Sequence, residues 1–211
     1  MSQSPPAAPS LDSLPEASRR LVLAAVEAFA TRGFHGTTTR DIASAAGMSP
    51  AALYVHHRSK EDLLHLISRT GHLRTLALVR EAVASADEPV GQLVALVRAF
   101  VRHHAEGHTT ARIVNYELAA LSVEHYAEIA EIRRAIEQVM RAVVEAGVAA
   151  GAFHTREPHM TALALLSLGI DVARWYRDDG SWTPDDVAGH YAELALRMVG
   201  AAPADQSAPA R

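Results

Sequence analysis

Near the end of the segment TTRDIASAAGMSPAALYVHH, residues 38–57, stand a phenol, Tyr54, and an imidazole, His56, which can reach phosphate oxygens or base edges. Just before them, Ala51 and Ala52 are small enough to let a helix approach the floor of a DNA groove. Contact with nucleic acid is the chemistry this segment suggests, provided that the chain builds a short helix there. The spacing predicts two short helices separated by a turn, a helix-turn-helix. Thr38 caps the first, with Asp41 three residues on closing a capping box. Ile42 and Ala46 face inward one turn apart, and Ala43 is small where the second helix must cross. Gly47 stands at the turn, where a positive φ costs glycine little. Ser49 caps the second helix, Pro50 opens it, and Met48 and Leu53 supply its apolar contacts. An ordinary helical hairpin could use the same small residues for packing. The amphipathic helix before it, ending in Gly33-Phe34-His35-Gly36, favours the DNA-contacting reading.

A second group, His103-His104-Ala105-Glu106-Gly107-His108, places His104 and His108 four apart, a helical spacing that could hold a metal with Glu106 or His103. Gly107 and a helix end near Thr109-Thr110 interrupt that face. The favoured reading is a solvated His/Arg cluster interacting with its helix's C-terminal dipole. No metal and no cofactor are expected. The chain has no cysteine, which excludes disulfide scaffolds, thiolate zinc sites, iron–sulfur clusters and cysteine nucleophiles. It also lacks a Gly-rich phosphate loop, a G-x-S-x-G and an H-E-x-x-H motif.

The elements that must position these groups are helices. Apolar residues recur at three and four through Leu21, Ala25, Ala28 and Phe29, through Leu63, Leu66 and Ile67, through Leu93, Leu96, Val97, Phe100 and Val101, and through Ile129, Ile132, Ile136, Val139 and Val143. Ser49-Pro50, Glu88-Pro89, Glu157-Pro158 and Thr183-Pro184 read as helix starts, because proline is tolerated at the first helical position and not in the interior. No alternating β-branched run bounded by turn dipeptides is present. The predicted class is all-α, with helices at about 16–32, 38–46, 50–57, 60–86, 89–107, 109–121, 123–150, 158–178 and 184–199. Residues 1–14 and 201–211 are rich in Pro, Ala and Ser and read as disordered tails. The most apolar window, Ala162 to Ile170, is too short to span a membrane, and MSQSPPAAPS carries no secretory signal pattern, so a cytoplasmic protein is expected.

Taken in order, Ala24–Phe29, Gly33-Phe34, Thr37-Thr38-Thr39-Arg40-Asp41-Ile42-Ala43, Ala46-Gly47-Met48-Ser49, Leu53-Tyr54 and Ser59-Lys60-Glu61-Asp62-Leu63-Leu64 make residues 18–65 resemble the DNA-binding domain of the TetR family of bacterial transcriptional regulators. The resemblance implies an N-terminal three-helix DNA-binding domain at 15–62 and a C-terminal effector-binding and dimerisation domain at 63–200. It also implies DNA contacts from Thr38, Thr39, Arg40, Ser49, Pro50, Ala51, Ala52, Tyr54, His56 and Lys60, with Thr38, Tyr54 and Lys60 on phosphates. Lys60 is the only lysine in the chain and opens a helix whose dipole also favours an anion. One departure is His56-His57, where the family usually has an aromatic pair ending in Phe. His57 is read as a part-buried substitute with its polar edge satisfied rather than as a pH sensor.

The same resemblance implies a homodimer paired through the helices near 158–178 and 184–199, a palindromic double-stranded operator and a small-molecule effector. The sequence is compatible: Leu163, Leu165, Leu166, Leu168, Ile170 and Val172 make residues 158–178 apolar nearly all round, and such a helix must be covered on every face. Arg112–Leu118, His125–Arg134, Trp175–Gly180 and Thr183–Leu196 are similar to a subset of actinobacterial TetR-type repressors of lipid, fatty-acid or steroid breakdown. For several of these the inducer is an acyl-coenzyme A thioester. Tyr116, Met140, Trp175 and Tyr176 would then line an apolar cavity, with Asn115, Arg112 or Arg174 at its polar edge; the plainer role for the rings is core packing or dimer contact.

The expected protein is a ligand-released repressor, not an enzyme. One rival reading is an all-helical enzyme using a His cluster with Glu117 or Glu106. Another is a ligand-independent DNA binder, which would need a denser basic surface than this chain has. The formal net charge of −4 argues, at face value, against DNA. Residues 18–62, however, hold Arg19, Arg20, Arg32, Arg40, Arg58 and Lys60 against Glu27, Asp41, Glu61 and Asp62, a net of +2 that leaves −6 on the rest. A weakly positive head on an acidic body predicts low, salt-sensitive non-specific affinity, with tight binding requiring two heads on a matched palindrome.

Overall fold

The computed structural model describes residues 14–202, so nearly all of the two expected tails lies outside the described residues. Among the described residues the chain is all-helical: α1 (Glu16–Arg32), α2 (Thr39–Ala45), α3 (Pro50–His56), α4 (Lys60–Ala84), α5 (Pro89–Glu106), α6 (His108–Tyr116), a 3₁₀ turn (Leu118–Ala120), α7 (Val123–Ala149), α8 (Pro158–Trp175) and α9 (Pro184–Met198).

The starts have local causes. The Thr38 hydroxyl accepts from the Asp41 N–H while the Asp41 carboxylate accepts from the Thr38 N–H, and Thr183 and Asp186 repeat this box at α9. Ser49, Ser59 and Ser122 cap α3, α4 and α7, and Pro50, Pro89, Pro158 and Pro184 occupy first-turn positions. The differences from expectation lie at C-terminal ends. The helix expected to 121 stops at Tyr116, where Glu117 leaves helical geometry and its carboxylate accepts from the Phe34 N–H at 3.4 Å. The helix expected to 178 stops at Trp175, where the chain turns extended and Tyr176 enters the core.

Two apolar cores result. The first gathers Leu21, Val22, Phe29, Ile42, Leu53, Leu63, Leu64 and Ile67, and takes in Ile113 and Val114 from α6. The second joins α4, α5, α7, α8 and α9 through Leu76, Val79, Leu93, Phe100, Met140, Val144, Leu165 and Ala195. Each fully buried Leu or Ile contributes about 1.5–3 kcal/mol. α4 runs through both cores. Within the single chain α8 is covered on one side: Ala162, Leu165, Leu166 and Val172 are buried, whereas Met160, Leu163, Leu168 and Trp175 are exposed. No helix among the described residues is long and apolar enough to cross a membrane.

Candidate functional site

The outer surface of α2 and α3 depends on the turn between them. Gly47 has φ 66°, and a Cβ there would lie 2.9 Å from Nη2 of Arg20, whose guanidinium donates to the Ala46 carbonyl. The left-handed backbone is what calls for glycine here; the Arg20 terminus is the flexible end of a long side chain and could shift. Ile42, Ala43 and Leu53 are fully buried and hold α3 across α2. Thr38, Arg40, Ser49, Pro50, Ala51, Tyr54 and His56 are left exposed, with Thr39 and Ala52 half-buried. The Tyr54 ring is 56% exposed, and its hydroxyl lies 3.3 Å from Thr39 Oγ1, bridging the two helices.

Lys60 is half-buried and makes contacts within the head. Its ammonium donates to the carbonyls of Phe34 and Thr37, each at 2.8 Å, and lies 4.3 Å from the Phe34 ring centroid. Two of its three donors are thus committed to the loop before α2, whose carbonyls have left the helical ladder. His57 is half-buried with Nε2 2.9 Å from Ser18 Oγ. Burial, helped by neighbouring His56, holds its pKa below the ordinary value, against the pull of Asp62.

A cavity of about 310 Å³ opens among α4, α5, α6, α7 and α8. Phe100, Val114, Ile136, Leu163, Leu166 and Ile170 form its apolar walls, and His72, His104, Asn115 and Arg133 supply polar groups. His72 is 4% exposed, with Nδ1 2.8 Å from the Ser68 carbonyl, so Nδ1 carries the hydrogen and Nε2 accepts from Nη1 of Arg133 at 3.2 Å. Burial, reinforced by the Arg133 charge, lowers its pKa to about 4 and keeps it neutral. His104 is arranged likewise: Nδ1 donates to the Phe100 carbonyl, burial lowers its pKa to about 4, and Nε2 has no protein partner among the described residues. Nη1 of half-buried Arg133 also donates to Asn115 Oδ1 at 3.0 Å.

Of the seven residues expected to hold an effector, Asn115 alone lines this cavity. Met140 is packed in the core at 1% exposure. Tyr116 follows Asn115 by one residue, a turn of about 100° on a helix, and points outward with its hydroxyl donating to Asp171. Arg174 is exposed and paired with the same aspartate. Trp175 stacks on Tyr191, Tyr176 is buried beside His108, and Arg112 is half-buried away from the cavity. The residues not foreseen here, His72 and Arg133, had one readable signal: His72 shares the face of α4 that carries Leu76 and Val79, a polar residue on an apolar stripe.

The histidines expected to form a cluster diverge, with His104 facing inward and His108 turned toward Asp178 at 3.2 Å. Among the described residues the groups close enough to share an ion are Glu61, Asp62 and His125. These are engaged already: Glu61 accepts from the Ser122 N–H and pairs with His125, each at 2.8 Å, and Asp62 accepts from the Arg58 N–H.

Two elements carry the cavity wall into the head. α4 places Leu63, Leu64 and Ile67 in the first core and His72 in the cavity, eight residues or about 12 Å beyond Leu64. On α6, Val114 belongs to both the first core and the cavity wall. It lies so close to α4 that a Cβ on Gly71 would sit 3.0 Å away.

A helix-turn-helix head joined in this way to a cavity-bearing helical body is the build of a ligand-responsive DNA-binding regulator. Residues 21–67 match the family model for bacterial regulatory proteins of the tetR family, and residues 86–199 match that for the tetracyclin repressor-like C-terminal domain. The chain belongs to the tetR family, and it is a transcriptional regulator, not an enzyme. It is similar to the HTH-type transcriptional repressor KstR2 of Rhodococcus jostii, with 35% identity over 193 residues covering 89% of this chain and 94% of that one. A crystal structure of a tetR-family regulatory protein from Rhodococcus RHA1 is 44% identical with a TM-score of 0.86, covering 90% of this chain and all (100%) of that one. The ketosteroid transcriptional regulator KstR2 of Mycobacterium tuberculosis is 25% identical with a TM-score of 0.81, covering 91% and 98% respectively.

Proposed function

We propose that this protein is a homodimeric repressor, active in the cytoplasm, that binds a palindromic operator and is released by a small molecule. In this reading residues 15–62 are the DNA-binding head and residues 63–200 the effector and dimerisation domain. Thr38, Thr39, Arg40, Ser49, Pro50, Ala51, Ala52, Tyr54, His56 and Lys60 meet the DNA, with α3 in the major groove. The observation that carries the reading is Val114, one side chain in both the cavity wall and the core of the head. A ligand that reshapes the cavity moves α6 and α4 together, and with them the separation of two heads that must match grooves about 34 Å apart. The ligand acts through its preference for the incompetent state: a hundredfold loss of operator affinity corresponds to about 2.7 kcal/mol.

Met160, Leu163, Leu168 and Trp175 recur at spacings that put them on one face of α8, and α8 and α9 of a second copy would cover them. The cavity stands at the small end of ligand sites, which run from roughly 300 to 1,000 Å³, and so suits an acyl group or another compact apolar body. With an acyl-coenzyme A effector, the nucleotide would stand outside it. Footprinting of DNA flanking the protein's own gene tests the reading. The expected result is a protected palindrome that is lost on adding an acyl-coenzyme A from a panel of candidates. Failure to find a specific site there or across the genome overturns the operator, and a tightly bound ligand that leaves operator affinity unchanged overturns release.

A further inference from the structure

We propose that Arg133 is the ligand-reading residue of the cavity, and that it takes an oxygen acceptor, in its strongest form a carboxylate, carried on a compact apolar body. This assignment rests on reading the cavity as the effector site.

The charges around the cavity are unequal in what they leave open. Arg134 is paired with Glu131, and Glu137 with His159 at 2.7 Å. Arg133 has only neutral partners, Nε2 of His72 and Oδ1 of Asn115, both reached through Nη1. Its Nη2 and Nε have no hydrogen-bond partner among the described residues, although a guanidinium presents five N–H donors in a planar fork. A half-buried cation without a counter-charge is unfavourable, and an anion entering the cavity supplies the missing partner. His72 cannot compete for that anion, because its Nδ1 hydrogen is held by Ser68 and its ring is neutral. An ammonium-bearing ligand meets the Arg133 charge, which disfavours it, and the one carboxylate of the lining, Glu137, is already hydrogen-bonded to His159.

The position of Arg133 also states how binding is felt. From α7, its Nη1 holds His72 on α4 and Asn115 on α6, the two helices that continue into the head. Asn115 is the immediate neighbour of Val114. An acceptor that draws the guanidinium toward the ligand loosens both attachments at once.

The test uses the full chain without DNA and two probes with one body, cyclohexanepropanoate and cyclohexanepropanamide, followed by calorimetric titration and thermal shift. Wild type should bind the carboxylate roughly tenfold or more tighter than the amide. In Arg133→Met that preference should fall to about twofold or less. Equal binding of the two probes to wild type, no binding of the carboxylate, or a preference that survives in Arg133→Met overturns the assignment. Should Arg133→Met fail to give a cooperative melt, the wild-type comparison decides, together with Arg133→Lys, which keeps the charge, loses the fork and should keep a reduced preference. Operator release is measured separately by adding cyclohexanepropanoate to the DNA complex. Arg133-dependent binding without release leaves the assignment standing and overturns the ligand-release reading.

Discussion

Lys60 and Phe34 are joined twice, by a 2.8 Å hydrogen bond from the ammonium to the Phe34 carbonyl and by a cation–π contact of 4.3 Å to its ring. With the second bond, to Thr37, this pins the start of α4 to the loop between α1 and α2. Lys60→Met is therefore expected to destabilise the chain by about 1–3 kcal/mol with no DNA present, read by urea unfolding. An unchanged unfolding midpoint with weakened operator binding would leave the lysine a phosphate role alone.

Gly47→Ala should cost about 1–2 kcal/mol from the left-handed backbone. The same variant should lose operator affinity in step with stability, because Gly47 sets how α3 leaves α2. A melting temperature equal to that of wild type would contradict this account of the turn.

Arg40 and Tyr54 are exposed, so Arg40→Ala and Tyr54→Ala should change stability by no more than about 0.5 kcal/mol while weakening operator binding. If Arg40 meets a phosphate in each head, the slope of log affinity against log salt should fall by about 2 for the dimer. Fluorescence anisotropy across a salt series measures both quantities.

His72 and His104 make the fold acid-sensitive. Each has a folded-state pKa near 4 against 6.5 when unfolded, so between these values the unfolded chain holds more protons and stability rises with pH. Descending from pH 6.5 to 4 should remove up to about 3 kcal/mol for each buried ring. The ionisable groups that act on His104 are His103, His72 and Arg133, positive or neutral, and none is a carboxylate that would offset protonation. His104→Phe should flatten the fall of melting temperature below pH 6.5, and an identical profile would remove His104 as its cause.

Leu168 is 42% exposed on the open side of α8. If α8 pairs as proposed, wild type should sediment as a dimer and Leu168→Glu, with its helical content intact, as a monomer of lower operator affinity. A variant that still sediments as a dimer would move the interface away from this face.

The head was legible because its signals are local. The Thr38–Asp41 box, Gly47 at the turn, Ser49-Pro50 at the next start and the buried Ile42, Ala43 and Leu53 all act within a few residues of one another, and each appears as expected. The proline starts of α5, α8 and α9 have the same character. His57, expected as a part-buried substitute with its polar edge satisfied, is half-buried with its ring at the Ser18 hydroxyl of α1.

The cavity was not legible, because its walls come from five helices and its chemistry depends on which faces they turn inward. Arg133 and His72 meet across 61 residues of sequence. Tyr116 and Asn115 are adjacent, yet a helical step of about 100° sends one to solvent and the other to the cavity. Lys60 illustrates the same division: the residue pattern places a lone lysine at the start of α4, but only packing decides whether its ammonium turns outward or inward. Local hydrogen bonding and periodicity act along the chain and can be read from it, whereas the convergence of side chains is set by the packing of distant helices, which no single segment encodes.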